Sequence, residues 1–172
     1  CPLSDQLMGR TAETLAEQYK ITRDEQDLFA VQSQQRAAAA QSRMASEITP
    51  VMLADKKKGM IPFTTDEQVR GDTTLEELAR LKPVFKENGT VHAGSSSAIT
   101  DGSAAMLVMS ESAVKKHGVK PLSRIIDYTA VGVDPKIMGI GPVPAVRLLI
   151  ERTKIGLDQI DLIELNKAFA AQ

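Results

Sequence analysis

A layered α/β fold with a mainly helical region in front of it is what this sequence predicts, and three observations carry the prediction. Residues 104–109 are a short, continuous apolar run, which is how a strand covered on both faces reads, and 124–133 and 160–165 are further strand candidates. Helical patterns alternate with these runs, so that from 104 onward the order is strand, helix, strand, helix, strand. Ahead of them, from Thr11 to about Ala93, the pattern is helical and loop-rich with little strand signal.

Each element has a local cause. Ala12, Leu15, Ala16 and Tyr19 recur at helical spacing and predict a first helix. Thr22 followed by Glu25 is a capping box: the hydroxyl takes an orphan amide of the first turn and the carboxylate reaches back to the cap amide. It opens a longer helix through Leu28, Val31 and the alanines 37–40, and these two helices are expected to pack as a hairpin. After Pro50, apolar residues 51–53 and 60–63 flank Lys56-Lys57-Lys58-Gly59 as a hairpin of short strands with an exposed turn. Thr74 with Glu77 is a second capping box, and Pro83 bounds the short helix it starts. Ser110 caps a helix that finishes at Gly118. Pro142 and Pro144 introduce another, with Val146, Leu149 and Ile150 on one side and Arg147, Glu151 and Lys154 on the other, and Asp158 marks the turn into the last apolar run.

Composition narrows the function. A 172-residue chain that is 42% hydrophobic can bury a sizeable core. A net charge of −1 favours neither a nucleic-acid polyanion nor an anionic membrane as partner, and 3% aromatic residues are too sparse for base stacking. One cysteine excludes an internal disulfide framework and suits a reducing compartment. The first residues have neither a basic start nor an apolar stretch, and are expected to be an interior segment rather than a signal peptide. Cys1 precedes proline with nothing nearby to depress its pKa, so it is not expected to be a nucleophile; His92 and His117 lack metal-ligand spacing and read as solvated or packed histidines.

Four segments carry chemistry. In Gly94-Ser95-Ser96-Ser97-Ala98-Ile99-Thr100-Asp101-Gly102, small residues let the backbone approach a ligand and a hydroxyl can donate to or accept from an amide, although a flexible serine-rich turn has the same composition. Asn166-Lys167-Ala168-Phe169-Ala170 follows an apolar run and places an amide at the mouth of a strand, where it either meets a substrate or simply caps the strand end. Met8-Gly9-Arg10-Thr11-Ala12-Glu13 and Met138-Gly139-Ile140-Gly141-Pro142 each offer a flexible, polarizable methionine, suited to a channel wall or to core filling.

These segments together resemble the thiolases, enzymes that make or cleave 3-ketoacyl-coenzyme A thioesters, and the resemblance extends from Met8 to the end of the chain. It is to the middle of a thiolase: the family's nucleophilic cysteine lies upstream of the matched region, and its catalytic histidine and second cysteine lie downstream. The resemblance implies a thiolase-like layered α/β fold with an inserted helical loop domain, incomplete in this chain. Residues 1–93 would be the coenzyme A-binding loop domain, 94–120 the end of the first α/β half and 121–172 the start of the second, with unpaired strand edges exposed.

The implied activity is ping-pong acyl transfer between coenzyme A thioesters. Asn166 matches the asparagine that holds a water beside the thioester oxygen, half of an oxyanion hole. Ser97 matches the serine that hydrogen-bonds the pantetheine arm. Met8 and Met138 match tunnel-lining methionines, Arg70 a residue near the nucleotide end of the coenzyme, and Phe85 one that packs on it, with Ala93, Ala168 and Phe169 beside them. Solvated arginine and half-buried phenylalanine are the plainer alternatives for Arg70 and Phe85, and core packing for Phe169. Leu7 stands where many bacterial short-chain members carry histidine. Lys167 departs from the family glutamate, exchanging an acceptor-only group for a donor-only one, and keeps open a second reading: a non-catalytic acyl-coenzyme A-binding or assembly subunit. Coenzyme A and acyl-coenzyme A are then substrates, with no permanently bound cofactor and no metal. The whole protein would be a homo-oligomer, dimer or tetramer, of fatty acid metabolism, cytoplasmic, or mitochondrial or peroxisomal in a eukaryote.

Overall fold

A computed structural model describes residues 2–172; Cys1, and with it the reading that it is no nucleophile, lies outside the described residues. Helix α1 (Met8–Tyr19) ends where Lys20 turns left-handed, φ 57°, and α2 (Arg23–Met44) starts at Thr22. The Thr22 hydroxyl accepts from the Glu25 amide while the Glu25 carboxylate accepts from the Thr22 amide at 2.7 Å, so the capping box forms as the sequence predicts. Strands β1 (Val51–Asp55) and β2 (Gly59–Phe63) pair antiparallel with Val51 opposite Phe63 and Asp55 opposite Gly59. Gly59 takes φ +76°, which the tight turn requires and only glycine adopts without cost. Helix α3 (Leu75–Ala79) opens on the Thr74–Glu77 box, and α4 (Glu111–His117) is capped by the Ser110 hydroxyl and closed by left-handed Gly118. Helix α5 (Pro142–Thr153) follows a 3-10 turn at Pro135–Ile140.

Two small clusters hold the helical region. In one, Ala12 and Ala16 of α1 pack with Val91 and Ala171, flanked by Ile21, Phe85 and Phe169. In the other, Ala30 and Val31 of α2 meet Leu78 of α3. The expected α1–α2 hairpin is therefore corrected: α1 packs chiefly on the Pro135–Ile140 turn, and α2 on α3 and a short 3-10 turn at Ala93–Ser95. The physical reason is the small-residue face of α1, which admits backbone and the tail of the chain more closely than a second helix. Leu15 sits so near Gly139 that a Cβ there would stand 2.7 Å from its Cδ1. Tyr19, at helical spacing from the buried Leu15 and Ala16, is half exposed, because α1 ends at that residue and the chain turns away.

The three expected strands at 104–109, 124–133 and 160–165 form no ladder among the described residues. Their side chains stand open, Leu107 at 90%, Ile125 at 66% and Leu162 at 77% exposure. Residues 104–109, apolar on both faces, announce neighbours above, below and beside them, and any of the three segments becomes a strand only when a neighbour accepts its backbone hydrogen bonds. The described residues supply none.

Candidate functional site

The serine loop is built around one histidine. Residues Ala93–Ser95 form the 3-10 turn, and the ring Nδ1 of His92 accepts from the Gly94 amide at 3.1 Å. The carbonyl of His92 accepts from the hydroxyls of Ser95, at 3.2 Å, and Ser96, at 2.7 Å. Of the three consecutive serines, Ser97 alone is exposed and keeps a hydroxyl with no partner among the described residues. The fold thus commits two hydroxyls to the turn and presents the third, the one the sequence motif singles out.

The loop then pairs with the chain's last turn. Ser97 donates its amide to the Ala168 carbonyl at 2.7 Å, and Ala170 donates to the Ser95 carbonyl at 2.8 Å, making an antiparallel bridge between Ser96 and Phe169. Gln172 braces this turn, its Oε1 accepting from the Ala168 amide and its Nε2 donating to the Gly139 carbonyl, each at 3.2 Å. Phe169 meets Phe85 edge to face, centroids 5.9 Å apart. Phe85 in turn lies against Gly9, next to Met8. These links gather Ser97, Ala168, Phe169, Phe85, Met8 and, through Gly139, Met138 into one neighbourhood whose elements come from both ends of the sequence. Met8 is 41% exposed and Met138 half-buried. Ala93 opens the serine turn with its side chain in solvent.

Asn166 and Lys167 lie on the exposed approach to this turn. The Asn166 amide has no hydrogen-bond partner among the described residues. Lys167 places its ammonium 5.3 Å over the Phe29 ring of α2, beside an open groove of about 580 Å³ lined by Ile21, Phe29, Leu165, Lys167 and Ala171. Arg70 is not brought into the neighbourhood. Its amide donates to the Gln34 side chain at 2.7 Å and its carbonyl accepts from Thr73, which holds it along the second half of α2.

Two buried groups that shape the site had no role assigned from the sequence, although Glu13 closes the 8–13 segment. Glu13, 2% exposed, accepts from the amides of Thr90 and Val91 at 2.9 and 2.8 Å and so fixes the strand-like entry to the serine loop. An acidic residue at helical spacing from Gly9 and Ala16 was the available signal. His92, read as solvated or packed, is the fully buried centre of the loop, with Nε2 2.6 Å from Asp27 Oδ1.

Residues 1–112 match the family described as thiolase, N-terminal domain, and residues 119–172 match thiolase, C-terminal domain. An acetyl-CoA acetyltransferase of Pseudomonas aeruginosa is 51% identical over 171 residues, which are 98% of this chain and 44% of that relative. Among solved structures, the Bacillus anthracis acetyl-CoA acetyltransferase superposes with a TM-score of 0.93 at 46% identity, covering 99% of this chain and 43% of its own. Human mitochondrial 3-ketoacyl-CoA thiolase in complex with CoA superposes at 0.87 and 46% identity, covering 95% of this chain and 41% of its own. The chain therefore spans less than half the length of the proteins it matches.

Proposed function

Because this chain belongs to the thiolase family, we propose that the full-length protein is an acyl-coenzyme A acyltransferase that forms or cleaves 3-ketoacyl-coenzyme A. The observation that carries this reading is the bridge between Ser96 and Phe169, which sets an uncommitted serine hydroxyl beside the Asn166 motif. In this reading Ser97 hydrogen-bonds the pantetheine arm, and Phe85, Phe169, Met8 and Met138 wall the channel with groups that tolerate a sliding thioester. Ala93 and Ala168 keep the approach shallow. Arg70, apart from the others, is assigned to the nucleotide end, which a ligand as long as coenzyme A would reach.

Asn166 holds a water against the thioester oxygen, where a donor already in place meets charge as it develops. The nucleophilic cysteine, histidine and second cysteine belong to segments outside these 172 residues. Lys167 directs its charge at Phe29, an orientation that supports its being tolerated next to Asn166. Homo-oligomer formation, a role in fatty acid metabolism and a cytoplasmic location, or a mitochondrial or peroxisomal one in a eukaryote, belong to the same proposal; the single cysteine supports a reducing compartment.

The test is thiolysis of acetoacetyl-coenzyme A by the full-length protein, followed at the loss of the substrate's enolate absorbance. Turnover supports the acyltransferase. Tight coenzyme A binding without turnover would replace it with the non-catalytic acyl-coenzyme A-binding subunit.

A further inference from the structure

We propose that Asp27 and His92 are a positioning pair: from inside the helical region they set the serine loop, and through it the direction of the Ser97 hydroxyl. The proposal rests on the reading of Ser97 as a coenzyme A contact.

The tautomer argument comes first. His92 is fully buried, and its Nδ1 accepts from the Gly94 amide at 3.1 Å, so Nδ1 carries no hydrogen. The ring hydrogen is on Nε2 and is donated to Asp27 Oδ1 at 2.6 Å. Ionised aspartate can only accept, and it therefore selects the one neutral tautomer whose other nitrogen can cap Gly94. Asp27 is itself held by the Arg23 Nε at 3.0 and 2.9 Å, and Arg23 Nη2 donates onward to the carbonyls of Leu78 and Leu81 at the end of α3.

The loop side completes the chain of contacts. With the ring fixed, the His92 carbonyl takes the hydroxyls of Ser95 and Ser96, and Ser97 is the first serine free to face a ligand. The fit is close, since a Cβ on Gly94 would stand 2.5 Å from Leu78 Cδ2 and 3.2 Å from the His92 ring. An apolar side chain of the same volume would fill this space but leave the Gly94 amide without an acceptor.

Three substitutions in the full-length protein separate positioning from packing. In His92→Asn the side-chain oxygen takes the place of Nδ1 and caps Gly94 without needing Asp27. In His92→Gln the amide reaches toward Asp27 and the cap is lost. In Asp27→Asn the new amide can donate to Nε2, which admits the tautomer whose Nδ1–H faces the Gly94 N–H. The readouts are amide hydrogen exchange at Ser97 and Ala170 and the KM and kcat of thiolysis.

The expected result for His92→Gln and Asp27→Asn is exchange at Ser97 faster by about tenfold and KM for coenzyme A raised by about tenfold, the effect of one hydrogen bond, with kcat within about threefold. His92→Asn stays near the parent in both, and adding Asp27→Asn to it changes neither. Equal losses in His92→Asn and His92→Gln would overturn the proposal in favour of plain packing, as would an Asp27→Asn protein with unaltered Ser97 exchange. Should His92→Gln fail to fold, the comparison of Asp27→Asn with the double variant decides. A parent protein without turnover whose Ser97 exchange still follows this pattern would defeat the acyl-transfer reading and leave the positioning pair standing.

Discussion

Gly9 lies directly against the ring of Phe85: a Cβ at position 9 would stand 2.2, 2.3 and 2.4 Å from three of its carbons. The glycine is inside α1, where alanine would ordinarily gain about 1 kcal/mol of helix propensity. Here the ring would have to move, and Phe85 is also in edge-to-face contact with Phe169, so overpacking at about 1–3 kcal/mol should win. Gly9→Ala is expected to lower the urea midpoint of the full-length protein, and the smaller side chain of Phe85→Leu to recover part of the loss in the double variant. A Gly9→Ala protein more stable than the parent would show that the ring is free to leave.

Glu13 makes a second test of how the loop entry is held. Its carboxylate takes both consecutive amides of Thr90 and Val91 and the Thr90 hydroxyl, all with little solvent near. Glutamine has the same shape but one oxygen fewer to accept with, and would turn an amide donor toward other donors. Glu13→Gln should cost about 2 kcal/mol, measured by chemical denaturation, because a buried N–H loses its acceptor. A loss below about 0.5 kcal/mol would mean that water replaces the carboxylate there.

The helix starts and the hairpin turn were legible in the sequence because their causes are local. Thr22 with Glu25, Thr74 with Glu77, Ser110 with Gly118 and the turn at Gly59 are each decided within a few residues, and each forms as read. The packing of α1 was not legible, since nothing near Ala12 and Ala16 announces that Val91 and Ala171 will meet them. Residues 104–109 read as a strand because their composition suits one, yet a strand exists only with its neighbour, and composition carries no information about whether the neighbour is at hand. At the site, the motif pointed to Ser97 and Asn166 but not to the backbone bridge that joins their segments, which spans more than 70 residues of sequence. His92 was visible as a residue and hidden as a role, because the aspartate that defines it lies a whole element away.

Asn166 and Ser97 should fail in different kinetic parameters. An oxyanion contact, the role proposed for Asn166, strengthens only as the transition state forms, so Asn166→Ala is expected to lower kcat of the full-length protein by about 10²–10³ with KM little changed. On its proposed role at the pantetheine arm, Ser97→Ala removes a binding contact made equally before and during reaction, and should raise KM for coenzyme A by about tenfold with kcat near the parent value. Steady-state thiolysis with coenzyme A varied distinguishes them. A shared loss in kcat alone would place Ser97 with the reacting atoms instead of with the pantetheine arm.

Acid should loosen the molecule at an exposed helix cap and an exposed hairpin turn. Backbone donation from Thr22, then its hydroxyl, holds the Glu25 carboxyl below its ordinary value, and the amides of Lys57 and Lys58 do the same for Asp55 in the hairpin turn. A carboxyl whose folded pKa is depressed stabilises the fold above its unfolded pKa, and that contribution is lost as pH falls through the folded one. Thermal stability is therefore expected to be insensitive to these two groups from neutral pH down to the ordinary carboxylate range and to decline below it. Glu25→Gln keeps an oxygen in the capping box without the charge, so it should melt lower than the parent at pH 7 and converge with it as Glu25 protonates. Melting the pair at descending pH gives the answer: a gap that stays constant through the acid range would mean that the Thr22 contacts, although formed, do not couple the charge of Glu25 to the stability of α2.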